Sequence, residues 1–100
     1  MGGLKEILMP ILKSYTGEAL NGFSILTQDI DGNWFSIIAT GYRKEKHFTF
    51  TVLIVRIMGE LVIIEEDRNS DPVYEELIEA GIPREQIILA YAGEAVPDTA

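Results

Sequence analysis

The chain of 100 residues contains no cysteine, which excludes disulfide bonds, thiolate nucleophiles and metal sites built on thiolates. It has one histidine, His47, and no run of about 18 apolar residues that would span a membrane as a helix. The N-terminus also lacks the pattern of a signal peptide. These shortages predict a soluble, cytoplasmic protein. Because no catalytic set surrounds the one histidine, we predict no enzyme activity, no cofactor and no metal.

The chain does contain enough apolar residues for a hydrophobic core, since they make up 47% of the sequence. Its length fits one domain. We therefore predict a single domain over residues 1–100. A flexible tail is predicted at about residues 92–100, where the hydrophobic periodicity ends.

The formal net charge of −8 is unevenly distributed along the chain. Residues 60–100 hold eleven acidic and two basic residues, whereas residues 1–59 hold five acidic and six basic ones. An acidic half repels phosphates, so we do not expect direct binding of nucleic acid. Each charge taken alone is best explained as solvated surface, and together they suit solubility or a basic protein partner.

The clearest structural signal is a helical pattern that follows Asp71 and ends at Gly81. The Asp71 carboxylate can accept a hydrogen bond from the first helical turn, and Pro72 is tolerated at the first helical position. Gly81 suits the left-handed residue at the end of a helix, and Pro83 prevents continuation. The apolar run at residues 87–91 then predicts a short final strand.

A second, amphipathic helix is predicted at the N-terminus, where apolar residues recur at helical spacing from Leu4 to Tyr15. Pro10 interrupts this pattern because it cannot donate a hydrogen bond to the preceding turn. We expect either a kink at Pro10 or a helix that begins near Met9. Gly17 is the predicted end.

Between the helices, hydrophobic alternation and turn residues predict four strands joined by short connections. The predicted strands are residues 22–30, 34–42, 47–57 and 61–66. Short connections imply an antiparallel meander. The predicted fold is α+β in two layers, with an N-terminal helix, a four-stranded antiparallel sheet, a C-terminal helix and a short final strand. Both helices are expected on one face of the sheet.

The third and fourth predicted strands are apolar on both faces, which a lone two-layer domain does not explain. Strict alternation puts Leu53, Val55 and Ile57 on one face of the third strand and the even-numbered residues from Phe48 to Ile54 on the other. Large exposed apolar patches mark interfaces, so we predict that a second copy of the chain covers one face. The predicted interface residues are Phe48, Phe50, Val52, Leu53, Ile54, Val55, Leu61, Val62, Ile63 and Ile64.

His47 and the hairpin acids are candidate sites that have simpler explanations. A single histidine at the start of a strand is best explained as a surface residue, because nothing places a serine and an acid around it. Asp29, Asp31 and Asn33 alternate as in a calcium loop, but Gly32 is misplaced for such a loop. A hairpin turn explains the same residues.

Two charged clusters are further candidates: Glu65, Glu66 and Asp67 at a strand end, and Arg43, Lys44 and Lys46 in a connection. The acidic cluster lacks the lysine that accompanies carboxylates in nuclease metal sites. The basic cluster lacks aromatic residues for base stacking, so a solvated loop explains it. A nucleic-acid groove would need these bases together with Arg56, arranged across a dimer.

The stretch E-E-L-I-E-A-G-I-P-R-E-Q-I-I-L-A-Y at residues 75–91 closely resembles the E-L-x-x-x-G-I-P-K-x-D-I-V-L-x-F pattern of the XisI-like family, the cyanobacterial fdxN-element excision controlling factors. The similarity continues upstream through I-I-E-E-D-R-N-S-D-P, and W-F-S-I-I-A-T-G-Y resembles another strand of that family. It covers roughly residues 20–91. The family's H-P-P-x-x-R segment is replaced here by residues 92–95, A-G-E-A.

This resemblance implies a regulatory α+β protein that forms dimers. Such factors act with a partner called XisH in the excision of a DNA element by a separate recombinase. The resemblance therefore implies an XisH-like partner protein. Two alternatives remain open: a small-molecule-binding domain whose pocket includes the acids near Asp67, and an antitoxin-like inhibitor of a nuclease-like partner.

Overall fold

The computed structural model describes residues 3–98, which form two helices and one six-stranded sheet. The elements are α1 (Leu4–Lys13), β1 (Gly17–Ala19), β2 (Gly22–Gln28), β3 (Trp34–Arg43), β4 (Lys46–Met58), β5 (Leu61–Asp67), α2 (Val73–Glu79) and β6 (Ile87–Leu89). Short 3-10 turns cover Arg84–Gln86 and Ala90–Ala92. Neither helix in residues 3–98 has the length and apolar character needed to cross a membrane.

The predicted α+β fold is confirmed, and the four predicted strands correspond to β2 through β5. They form the middle of a larger sheet in which the strands lie in chain order. The prediction misses β1, because the Gly17–Ala19 segment carries no β-branched or aromatic residue. The whole sheet is mixed, since β6 pairs in parallel with β5 after the chain returns through α2.

α1 is one helix from Leu4 to Lys13 with Pro10 inside it, so the predicted start near Met9 is wrong. Leu8 and Leu12 are fully buried on its inner side. Burial of each leucine contributes about 1.5–3 kcal/mol. This offsets the roughly 3 kcal/mol that an interior proline costs, so tertiary packing keeps the helix continuous.

The start of α2 is held by Asp67 and not by Asp71. Oδ2 of Asp67 accepts a hydrogen bond from the Val73 N–H at 2.8 Å, and Oδ1 accepts one from the Asn69 N–H at 2.9 Å. Pro72 itself occupies the N-cap position, and its own side chain makes no capping bond. The prediction of Asp71 as N-cap is therefore wrong, because a carboxylate at the end of β5 already reaches the first turn.

The end of α2 is the left-handed glycine termination that the sequence predicts. Gly81 has φ +106°. Its N–H donates to the Ile78 carbonyl, and the Ile82 N–H donates to the Leu77 carbonyl, both at 3.0 Å. This pair of bonds is a Schellman motif. Ile82 is buried as a result, and it packs into the core.

The core lies between the two helices and one face of the sheet, which we call the inner face. Its buried members are Leu8, Leu12, Phe35, Ile37, Leu53, Val55, Val62, Ile64, Val73, Leu77, Ile82, Ile87 and Leu89. Both helices cover the same face, as predicted. The opposite side of the sheet, the outer face, has no helix on it among residues 3–98.

A β-bulge in β4 interrupts the alternation of its side chains. Ile37 of β3 pairs with Leu53, but the next residue, Ile38, pairs with Thr51. Val52 is therefore an extra residue in the ladder. Because the period of a strand is two, one extra residue moves every following side chain to the opposite face.

This bulge changes the faces predicted for β4. Phe48 pairs with Gly41 and Phe50 pairs with Ala39, so both phenylalanines lie on the inner face with the residues they oppose. The prediction that they share a face with Ile54 is wrong. Strict alternation assumes an uninterrupted strand, and nothing in the local sequence marks the insertion.

Candidate functional site

The outer face of the sheet carries an apolar patch that neither helix covers. We call it the outer patch and define it as Phe23, Ile25, Trp34, Ile38 and Ile54. Phe23 is 48% exposed, and Ile25 and Trp34 are each 43% exposed. Ile25 lies directly opposite Ile38 across β2 and β3. Contiguous exposed apolar area on a small chain indicates an interaction surface.

The structure divides the predicted interface residues between the two faces. The outer face holds Ile54, Leu61 and Ile63. The inner face holds Phe48, Phe50, Val52, Leu53, Val55, Val62 and Ile64. The members that belong to the core are already covered by the helices of their own chain, so they are not accessible to a partner.

Four outer-patch residues are absent from the predicted interface: Phe23, Ile25, Trp34 and Ile38. A signal for two of them is present in the sequence, because Phe23 and Ile25 alternate with Ser24 and Leu26 along β2. Leu26 packs against the core, so the other two must face outward. The alternation in β2 is a weaker signal than the high apolar content of β4 and β5, on which the predicted interface is based.

Two ion pairs lie beside the outer patch, where Glu18, opposite Phe23 on β1, is a further acidic residue. Nε of Arg56 lies 2.8 Å from Oε2 of Glu65 in an ion pair that lacks hydrogen-bond geometry. The same guanidinium lies 4.8 Å from the centre of the Trp34 ring. Arg68 and Glu66 form a second, looser pair at 3.7 Å. The two ion pairs carry no net charge, so the outer face has a smaller share of the net charge of −8 than the rest of the chain.

His47 belongs to a polar row beside the outer patch. Its Nε2 lies 3.2 Å from Oγ1 of Thr40, and its ring packs edge-on against Tyr42 with centroids 5.3 Å apart. Oγ1 of Thr40 also lies 2.9 Å from Oγ1 of Thr49. These neighbours are hydroxyl groups on an exposed face, which confirms the prediction that His47 is a surface residue.

The predicted hairpin turn between β2 and β3 is confirmed. Oδ1 of Asp29 accepts hydrogen bonds from the Trp34 N–H at 2.8 Å and the Asn33 N–H at 2.7 Å. These bonds, the one from Trp34 foremost, hold the pKa of the Asp29 carboxyl below its usual value. Among residues 3–98, no group of three acidic or histidine side chains is placed to hold a metal ion.

The structure does not bring the basic candidates together. Arg43 and Lys46 flank the tight turn between β3 and β4, in which Lys44 and Glu45 are both left-handed. Arg56 lies near the far end of β4, roughly 33 Å from Lys46 at the usual rise per residue. A groove that combines these bases within one chain is therefore excluded by the length of the strand.

A groove of about 520 Å³ lies at the end of the inner face that the helices leave open, and its lining includes Tyr15, Phe48 and Phe50. Its lining also includes the small residues Gly22, Ser24 and Ala39. Asp67 is not part of this lining, and both of its carboxylate oxygens are used at the start of α2. Asp67 therefore does not line this groove, and the small-molecule alternative stays a prediction.

Comparison with known proteins identifies relatives of this fold. The family model described as XisI protein matches residues 4–98. No curated protein matches the chain. A solved XisI-like protein from Anabaena variabilis is 20% identical with a TM-score of 0.74, over 85% of this chain and 81% of that one. The solved fdxN element excision controlling factor XisI from the same organism is 24% identical with a TM-score of 0.61, over 85% of each chain.

Proposed function

Because the chain belongs to the XisI family, we propose that it is a non-enzymatic regulatory protein that helps to control the excision of a DNA element. The observation that carries the proposal is the family match over residues 4–98. One solved relative is called an fdxN element excision controlling factor, and we extend that role to this chain. The role is exerted by binding an XisH-like partner protein.

The protein partner is tested by mixing the purified chain with a purified XisH-like protein at micromolar concentrations. Size-exclusion chromatography with light scattering is expected to show a complex heavier than either component. If the partner is a nuclease, inhibition of its activity in the same mixture supports the antitoxin-like version of the role. Separate elution of the two proteins at micromolar concentrations contradicts the proposal.

The outer patch supports a homodimer as part of the same proposal. Burial of each large apolar side chain contributes roughly 1.5–3 kcal/mol, and the paired charges beside the patch remove local repulsion. The acids of α2, including Glu75 and Glu79, lie on the helical side of the sheet. Two copies that meet through their outer faces therefore keep these acids apart.

The homodimer is tested with the Ile25→Asp variant, which places a charge in the middle of the outer patch. Sedimentation velocity is expected to show a dimer for the unmodified chain at about 100 µM and a monomer for the variant, because an unpaired buried carboxylate is strongly unfavourable. Ile30→Asp is the matched control, since Ile30 is fully exposed in the hairpin turn. A dimer that survives Ile25→Asp and dissociates with Ile30→Asp contradicts this location.

A further inference from the structure

β2 has a neighbouring strand on its outer edge along only part of its length. β1 pairs with residues 22–24. Before Gly17 the chain bends away toward α1, and the Thr16 N–H donates to the Lys13 carbonyl at 3.1 Å. Within the described part of the chain, residues 25–28 therefore have no strand on that side. We call this segment the open edge.

The antiparallel ladder determines which peptide groups face the open edge. The Asp29 N–H donates to the Trp34 carbonyl at 3.1 Å, so the odd-numbered residues of β2 bond to β3. The even-numbered residues point the other way, and within residues 22–24 they bond to β1. The N–H and C=O groups of Leu26 and Gln28 are thus directed outward, where an added strand would find them.

The opposite border of the sheet, β6, is closed by side chains of its own chain. Oε1 of Glu94 accepts the Leu89 N–H at 2.8 Å, and Nη1 of Arg84 donates to the Ile87 carbonyl at 2.6 Å. Nη2 of Arg84 also donates to Oε2 of Glu94 at 2.6 Å. The bond from Leu89, followed by that from Arg84, holds the pKa of Glu94 below its usual value. The outward peptide groups of β6 are therefore already satisfied.

The open edge has no such protection among residues 3–98. Proteins usually block an edge with a charge, a proline or a bulge, but residues 25–28 are Ile, Leu, Thr and Gln in regular register with β3. A groove of about 640 Å³ lies beside them, with Ile25 and Leu26 in its lining. Lys13 and Glu18 also line it, so the groove itself favours neither sign of charge.

We infer that the open edge is a binding site for an extended segment of a different polypeptide, which adds a strand beside residues 25–28. Its backbone bonds to Leu26 and Gln28, and apolar side chains at alternate positions enter the groove. Asp29 lies at one end of the open edge on a chain with a net charge of −8, so the segment carries basic residues at its ends. Phe23 and Ile25 belong both to the outer patch and to the lining of this groove, so the site goes beyond the proposed function through its backbone bonds to Leu26 and Gln28.

A second copy of β2 fits the open edge less well. Two copies paired antiparallel about Thr27 would set the charged Asp29 of one chain against the apolar Ile25 of the other. Each chain also carries a net charge of −8. A basic segment from another protein meets neither difficulty.

The inference is tested with a synthetic peptide, acetyl-Lys-Val-Thr-Val-Thr-Val-Lys-amide, and amide hydrogen exchange measured by NMR on the intact chain. In the free chain, the Leu26 and Gln28 amides are expected to exchange fast, while those of Ile25 and Thr27 are protected by β3. Millimolar peptide is expected to slow exchange at Leu26 and Gln28. Absence of this protection at millimolar peptide overturns the inference, as does protection already present in the dilute free chain.

Gln28→Pro removes the outward N–H without touching the bonds to β3, and it is expected to weaken peptide binding by about tenfold or more. Gln28→Ala keeps the N–H and is expected to bind as the unmodified chain does. If Gln28→Pro does not fold, a peptide with N-methyl groups on its bonding edge replaces it, and undiminished binding of that peptide overturns the inference.

Two further experiments test which kind of segment binds the open edge. A peptide that ends in glutamate in place of lysine is expected to bind about threefold to tenfold more weakly, and equal binding overturns the assignment of basic ends. Protection of Leu26 and Gln28 that rises with the concentration of the chain alone shows that a second copy occupies the edge, which overturns the assignment to a different polypeptide.

Discussion

Gly22 and Gly41 face each other across β2 and β3, and neither position has room for a Cβ atom. A Cβ atom on Gly41 would lie 2.3 Å from the carbonyl oxygen of Asn21, and one on Gly22 would lie 2.2 Å from that of Thr40. Both obstacles are backbone atoms, which cannot rotate away. The two strands therefore approach each other closely at this point only because both residues are glycine.

We predict that Gly41→Ala destabilises the chain by about 1–3 kcal/mol, because the backbone of β2 must move to admit the methyl group. The free energy of unfolding from urea titration measures this effect. Ser24→Ala changes a nearby small residue on the same face and is expected to stay within about 0.5 kcal/mol. Equal stability of the Gly41→Ala variant and the unmodified chain would contradict the close approach.

Tyr15 joins the end of α1 to α2, because its hydroxyl donates a hydrogen bond to Oε2 of Glu76. Burial, followed by this bond, raises the pKa of Tyr15 above its usual value. The folded state thus favours the protonated phenol. Its contribution is fully present below the unfolded-state pKa of about 10 and is lost as the pH rises further.

We predict that Tyr15→Phe lowers the free energy of unfolding at pH 7 by about 1.5 kcal/mol, since the lost bond has a charged acceptor. Above pH 10 the difference between Tyr15→Phe and the unmodified chain is expected to shrink, because only the tyrosine titrates. Urea titrations at neutral and alkaline pH measure both effects. A difference that stays constant into the alkaline range would refute the link to ionisation.

At the scale of an element, α2 depends on a residue from the preceding strand. We predict that Asp67→Ala destabilises the chain by about 1–2 kcal/mol, because the Val73 and Asn69 N–H groups lose their acceptor. Asp71→Ala is the matched control and is expected to stay within about 0.5 kcal/mol. Thermal or urea unfolding compares the stabilities of the two variants. A larger loss of stability for Asp71→Ala than for Asp67→Ala would show that Asp71 is the cap.

The elements that could be predicted are those fixed by residues close in sequence. Gly81 and the apolar residues around it predict the end of α2, and Gly32 predicts the turn between β2 and β3. β1 could not be predicted, since a Gly-Glu-Ala segment becomes a strand only because β2 is already there to pair with it. Local sequence patterns therefore predict most of the helices and strands, whereas β1 depends on tertiary pairing with β2.

The candidate site was less predictable than the fold, because it depends on which face each side chain occupies. Val52 adds one residue to β4, and this single insertion moves Phe48 and Phe50 to the inner face. The predicted interface on β4 and β5 therefore includes residues that the helices cover. The members of the outer patch on β2 and β3 follow from plain alternation, with Phe23 and Ile25 as the clearest of them.

At the scale of the whole molecule, the net charge of −8 opposes contact between copies, while two ion pairs beside the outer patch carry no net charge. We predict that the proposed homodimer becomes several-fold tighter between about 20 and 300 mM NaCl, because salt screens the repulsion between distant acids. Sedimentation equilibrium across this range measures the dissociation constant. A dimer that weakens with salt would indicate ion pairs across the interface and contradict contact through the apolar outer patch.

The closure of β6 by Arg84 and Glu94 has a consequence for aggregation. Fibrils grow by strand pairing when every molecule has two free strand edges, because each added molecule then provides a free edge for the next one. Among residues 3–98, β2 has a free edge at residues 25–28, and residues 46–51 of β4 also lack a strand on one side. The closure of β6 therefore removes one free edge from a chain rich in β-branched residues, which lowers its tendency to polymerise through strand pairing.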